Sequence, residues 1–391
     1  MVRLFSKFFY ENVRWYTKCP SCGREAIVSN AIGVCVDCLR RGKGQQYYRF
    51  RDYHLRSRRL AGVELSEPPR DEGGIKCGYC GVGCIIRDGG IGWCGLVRNV
   101  GGRLVRDYGI GNEALGLYYL DPLPTNCVAD PVCPAATSRG YPQYTYTKGP
   151  EHGYYNLAVF YGACNLDCLY CQNWDYRNIT KTRGRRFTID ELIKLIERDN
   201  RITCICYFGG DPSPQALHAI KLSRKAVELA RKENRVMRIC WESNGLMGEG
   251  FLREAIELSL VSGGIFKFDF KAWNERVYKA LTGVSNEPLK KNLRIAAKYV
   301  GKRDDPPLFV ISILLVPGYV DEVEVEGILK YVSETLGTST PIVFLAFHPD
   351  FLMDDLPPTS SRHADNSVKL AKELGFKEVY IGNIWLLGKY Y

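Results

Sequence analysis

Sixteen cysteines lie in this 391-residue chain, most of them in close groups, and one group has the spacing of a reactive metal loop. The segment GACNLDCLYCQNW sets Cys164, Cys168 and Cys171 in C-x3-C-x2-C order, with the aromatic Tyr170 just before the last. Three thiolates on one short loop can bind three irons of a cubane, which leaves the fourth iron without a protein ligand. An open position on a metal is what catalysis needs, whereas a closed shell serves structure. The competing reading is a zinc site or structural cluster completed by a distant cysteine.

The remaining cysteines divide by spacing. Cys19, Cys22, Cys35 and Cys38 form C-x2-C-x12-C-x2-C, opening on the knuckle CPSCG. Two hairpin tips giving two thiolates each make a closed tetrahedral site, so Zn2+ in a small ribbon is expected, with iron as the lesser alternative. Cys77, Cys80, Cys84 and Cys94 form C-x2-C-x3-C-x9-C among glycines. They suggest a second closed site, holding either zinc or an auxiliary iron–sulfur cluster, because spacing alone does not choose the metal. Cys127 and Cys133, in DPLPTNCVADPVCPA, could complete those ligand sets, form a redox pair or approach a substrate. Cys204, Cys206 and Cys240 fall inside apolar runs and are expected to act as small buried hydrophobes.

Elements able to position the first loop are legible downstream of it. From Tyr154 on, short β-prone runs alternate with amphipathic helical segments, from NLAVFYG and ITCICYFGG through to PIVFLAFH and EVYIGN. Seven such strands predict an α/β parallel sheet, closed completely or partly into a TIM-like (β/α) barrel, because candidate residues follow many different strands. Small Cys-rich metal-binding modules precede it. The expected division is 1–65 (a basic, zinc-ribbon-like module), 75–150 (a Cys- and Gly-rich module) and 151–391 (the barrel), with the turn-rich SEPPRDEGG marking the first boundary. Hydrophobic residues make up 46% and charged residues 25%, which suits a globular protein. No apolar run approaches the ~20 residues that span a bilayer, and the amino terminus lacks a signal-peptide stretch. A cytoplasmic, membrane-free protein in a reducing compartment is therefore expected. Of the +10 net charge, most sits in residues 1–60, with 13 Lys and Arg against four Asp and Glu. Such a segment suits nucleic acid, an acidic protein surface or a solvated face. Its aromatics (Phe8, Phe9, Tyr10, Trp15) could stack on bases or pack as a small core.

The C-x3-C-x2-C loop with its aromatic resembles the signature of the radical S-adenosylmethionine superfamily. That resemblance implies a [4Fe–4S] cluster on Cys164, Cys168 and Cys171 whose open iron chelates S-adenosylmethionine, and reductive cleavage to a 5′-deoxyadenosyl radical that abstracts hydrogen. Four strand-end segments extend it. GGDPSP resembles the family's GGEP, implying cofactor contacts at Gly209, Gly210 and Asp211, with Asp in place of the usual Glu. WESNG (Glu242, Ser243, Asn244) resembles the DTNG of pyruvate formate-lyase activating enzymes, with Glu in place of Asp. FDFKAW implies Asp269 and Lys271, and LAFHPD implies His348, as further cofactor contacts. The leader IKCGYCGVGC, the segment YKALTG and the run LLVPGYVDEVEV are similar to the AmmeMemoRadiSam-type radical enzymes. The resemblance covers roughly residues 75–385 and implies a low-potential electron donor of flavodoxin or ferredoxin type.

The expected function is thus a radical S-adenosylmethionine oxidoreductase acting on an unknown protein or nucleic-acid substrate. A glycyl-radical activase is the alternative within that chemistry. A non-catalytic zinc-ribbon nucleic-acid-binding protein is the alternative outside it, with steeply salt-dependent binding as its mark.

Overall fold

The computed structural model describes Tyr10, residues 13–125 and residues 127–391; Phe8 and Phe9 lie outside the described residues. Seven parallel strands succeed one another in space in chain order: β1 (Tyr155–Tyr161), β2 (Ile202–Gly209), β3 (Arg238–Ser243), β4 (Phe266–Asp269), β5 (Phe309–Leu315), β6 (Ile342–Ala346) and β7 (Val379–Gly382). The sheet does not close. Its other edge is extended by Glu113–Pro122, antiparallel to β1, and then by the short strand Arg186–Thr188. The expected barrel is therefore a partial one.

Side chains alternate across these strands, so one face of each packs on helices and the other lines the barrel. Leu157, Val159, Ile205, Tyr207, Ile239 and Trp241 are buried on the helix side. Crossover helices start where the sequence supplies caps: Thr188 accepts from Glu191 N and the Glu191 side chain returns the bond, while Asn274, Asp321 and Ser360 cap three others. No helix among the described residues is long and apolar enough to cross a membrane.

The amino-terminal third wraps this sheet. Residues 127–151 cover the end where the strands begin: Ala129 and Val132 pack with Ile265, Val310 and Val343. The buried Glu151 carboxylate accepts two bonds from Arg238, at 2.6 and 3.1 Å. At the opposite end, the ribbon docks through Ser29 and Asn30 on Asp355 (2.8 and 2.6 Å) and through Tyr319, whose hydroxyl accepts from Ser29 N and donates to Val34 O. The helix Phe50–Arg59 lies against the loop that follows β1.

Candidate active site

Cys164, Cys168 and Cys171 sit on the loop leaving β1, at the carboxyl ends of the strands where barrel enzymes carry their chemistry. Asp167, between the first two, anchors the loop. Its buried carboxylate accepts from Ser57 Oγ (2.5 Å), Arg177 Nη2 (2.7 Å) and His54 Nδ1 (2.9 Å), with Arg58 at 3.8 Å. Burial alone would raise its pKa; Arg177, His54 and Arg58 more than reverse this and hold it well below the usual carboxylate range. His54, Ser57 and Arg58 all come from the basic amino-terminal segment.

The tip of β2 crosses this loop at close range. Gly210 N donates to Tyr161 O and Asp211 N to Ala163 O, both at 2.9 Å. Gly209 has φ +108°, and a Cβ there would lie 2.7 Å from Tyr161 N and 2.8 Å from its oxygen. Only glycine fits. The Asp211 carboxylate accepts from Ser213 N and Asn244 N, each at 2.7 Å, and from Ser243 Oγ at 3.2 Å, so it ties the tips of β2 and β3 together. Burial raises its pKa despite those bonds. Asn244 then reaches back, its Nδ2 donating to Asn165 Oδ1 at 2.7 Å beside Cys164.

Beyond β4, the Asp269 carboxylate receives Lys267 Nζ at 2.8 Å, Lys271 Nζ at 3.2 Å and the Ser312 hydroxyl. Burial opposes its ionisation, but the two ammonium groups prevail and its pKa falls well below the ordinary value. Glu242 lies 3.5 Å from Lys267 Nζ and 3.3 Å from Cys127 Sγ.

One cavity of ≈ 180 Å³ gathers these parts. Its lining includes the three cysteines, Tyr170, Gly209, Gly210, Asp211, Glu242, Asn244, Asp269 and Lys271. Ser243 and His348 are not in that lining: Ser243 is buried behind it on Asp211, and His348 is half-buried just after β6. Sequence reading missed three groups here. Lys267 also lines the cavity; strand alternation from Asp269 would have pointed to it. Asp167 carried no sequence signal, its partner His54 being 113 residues away. Tyr278 is fully buried and Tyr170 nearly so, and neither hydroxyl has a hydrogen-bond partner among the described residues.

Sulfur spacing separates the cysteine groups. In the ribbon, Sγ–Sγ contacts are 4.0 Å (Cys19–Cys38) and 3.8 Å (Cys22–Cys35). A tetrahedron with ~2.3 Å metal–sulfur bonds has edges of about 3.8 Å, so a single ion fits. Among the described residues, this is the one group of three or more donors lying entirely within 4.8 Å of one another. Cys164, Cys168 and Cys171 stand wider, as thiolates bound to separate irons of a cubane must. The unpartnered Tyr170 hydroxyl and the Gly209–Gly210 wall share one lining with the three thiols, so the residues present fit a cluster with a ligand on it. Cys77, Cys80, Cys84 and Cys94 also converge without contracting to single-ion spacing; each of the first three is affected by Cys94. Their hairpin docks beside the loop: Gly81 N donates to Leu246 O, which also accepts from Asn165 Nδ2.

Comparison with known proteins agrees with this geometry. An uncharacterized protein of Methanocaldococcus jannaschii is 26% identical over 318 residues, covering 80% of this chain and 83% of that one. A second from the same organism is 24% identical over 232 residues, covering 56% and 62%. Among solved structures, a domain of a pyruvate-formate lyase-activating enzyme from Bacteroides vulgatus is 18% identical with a TM-score of 0.35, covering 46% of this chain and 98% of that one. Streptococcus suis SuiB bound to the precursor peptide SuiA is 11% identical with a TM-score of 0.42, covering 57% and 47%, so this chain spans about half of SuiB. Likeness at that level says nothing of substrate. Residues 158–332, from within β1 into the helix before β6, match the family model of the radical SAM superfamily, so this span of the chain is similar to a radical SAM domain.

Proposed function

We propose that this chain is a radical SAM enzyme that holds a [4Fe–4S] cluster on Cys164, Cys168 and Cys171, seats S-adenosylmethionine against the strand ends, and takes a hydrogen atom from a bulky substrate. The observation that carries this reading is the gathering of three thiols with Gly209, Gly210, Asp269 and Lys271 in one cavity. When bound, cluster and cofactor supply one-electron cleavage of a sulfonium bond and so a carbon radical.

The chain's own residues provide placement and charge. Asp269 is kept ionised by Lys267 and Lys271, which gives a carboxylate for an ammonium group and, 3.2 Å away, an ammonium for a carboxylate. That pair complements an amino-acid zwitterion. The N–H groups of Gly210 and Asp211 are spent on Tyr161 O and on Ala163 O in the loop beyond β1, so they hold this wall in place rather than donating to a ligand. Asp211 and Asn244 position the loop. Electrons must come from a low-potential donor outside the chain.

The ribbon is proposed to hold one zinc, and the Cys77 group an auxiliary cluster, whose wider spacing favours it over zinc. The division into 1–65, 75–150 and 151–391 stays a proposal; Glu113–Pro122, in the middle span, joins the barrel sheet. Added amino-terminal modules favour a modifying enzyme over a simple activase. Of the basic amino-terminal residues, Arg40 and Arg58 turn inward to Glu324 and Asp167, while most of the others, Arg24, Arg41, Arg51 and Arg56 among them, are exposed.

The test is anaerobic incubation of the iron-loaded chain with dithionite and S-adenosylmethionine. Formation of 5′-deoxyadenosine is expected, with at least tenfold loss in Asp269→Ala and Lys271→Ala at unchanged iron content. Equal turnover in both variants would overturn the assigned contacts.

A further inference from the structure

Five thiols converge inside the barrel, behind the cavity described above. Along β1, β2 and β3 the inward positions are Asn156, Ala158, Cys204, Cys206 and Cys240. Barrel interiors are ordinarily filled by branched aliphatic side chains. Here the small residues leave a cavity of ≈ 110 Å³, and the covering segment adds Cys127 and Cys133 to its wall. Cys206 and Cys240 are direct register partners on adjacent strands, and Cys204 shares their face. All five are free thiols. The sequence alone made Cys204, Cys206 and Cys240 filler; what it could not show is that they face one another and two further thiols across a hole.

We propose that this cavity is a second iron–sulfur site, with thiolates from Cys133, Cys206 and Cys240 and a fourth from Cys127 or Cys204. Three observations lead there. Five thiols from two separate stretches, the strands and the segment covering them, meet in the wall of one cavity, which is a donor set for a thiophilic group. The nearby cations are engaged elsewhere: Arg238 pairs with Glu151, Lys267 with Asp269 and Glu242, and Arg303 donates to backbone carbonyls. Ligation is then the route by which these buried groups ionise. Finally, no three of the five sulfurs lie within 4.8 Å of one another, unlike the ribbon. That spacing is too open for one tetrahedral ion and suits a cluster in which each thiolate meets its own share of the irons. Phe208 and Glu242 line this cavity and the one at the Cys164 loop, so they form the wall between the two sites.

The proposal does not depend on the radical chemistry, and the test keeps them apart. Full-length protein carrying Cys164→Ala, Cys168→Ala and Cys171→Ala is loaded anaerobically with iron and sulfide, with and without Cys206→Ala and Cys240→Ala. Removing the barrel pair should lower iron by about two to four atoms per chain. Unchanged iron, or zinc in its place, overturns the proposal. Should the alanine chain fail to fold, the unsubstituted iron-loaded protein decides: Cys133, Cys206 and Cys240 should resist N-ethylmaleimide until iron is chelated. Alkylation before chelation, or protection that survives it, overturns the proposal equally.

Discussion

Asp167 shows how much of this site rests on a single buried charge. Four side chains from two distant stretches aim at it, and three of them carry or can carry positive charge. Removing the carboxylate strands Arg177, Arg58 and His54 in a dry interior. Breaking such a set by deleting one partner costs about 3–5 kcal/mol. Asp167→Ala should therefore lower unfolding stability by that order in a urea titration, and its loaded iron should fall with the disordered loop. Gly209→Ala acts by another route: its Cβ would press on the Tyr161 backbone, and φ +108° strains any side chain. A loss of at least 1–3 kcal/mol by the same titration is expected, at roughly the cost of a strained backbone position. At this scale the cysteine groups were legible because side chains that share one loop are neighbours in sequence. Asp167, Lys267 and Tyr278 were not, since their partners arrive through the fold.

Among the elements, all seven strands were legible from alternating apolar runs bounded by turn signals. Glu113–Pro122 was not, because it lies in a stretch whose glycines, prolines and cysteines drown its pattern, and its pairing partner β1 is remote. Nor was the inward face of β2 and β3, where cysteine reads as apolar from either side of the sheet. The helix Ala216–Lys232 offers a pH test of the packing. His218 is buried on it, with Nδ1 2.9 Å from Tyr161 Oη and its ring edge-on to Phe187. Burial lowers its pKa from 6.5 to about 4. The unfolded chain thus binds the proton more readily. Stability contributed by the neutral ring is fully present above pH ~6.5 and is lost as pH falls toward 4, by about 3 kcal/mol in all. His218→Gln should flatten that part of the stability–pH curve measured in denaturant. An unchanged curve would show that the buried ring is not the group titrating.

Across the whole molecule, the amino-terminal segment is part of the barrel's support. Arg40 bonds Glu324 at 2.8 Å and also reaches Asp321; Glu324 in turn accepts from Trp273 N and Asn274 N, just past Lys271. The basic charge was readable in the sequence, but not which residues turn inward: Arg40 and Arg58 do, while most of the rest face solvent. A ribbon emptied of its metal should loosen this chain of contacts. Cys35→Ser is expected to remove about one zinc per chain and to lower turnover of S-adenosylmethionine while leaving the barrel's iron in place, as read by metal analysis alongside product formation. The account as a whole stands on an iron that the Cys164 loop leaves open. Its most direct test is the electron paramagnetic resonance of the anaerobically reduced, iron-loaded chain. The signal should change in shape when S-adenosylmethionine is added, and the change should vanish in Cys168→Ala. A reduced cluster whose spectrum ignores the added nucleotide would contradict it.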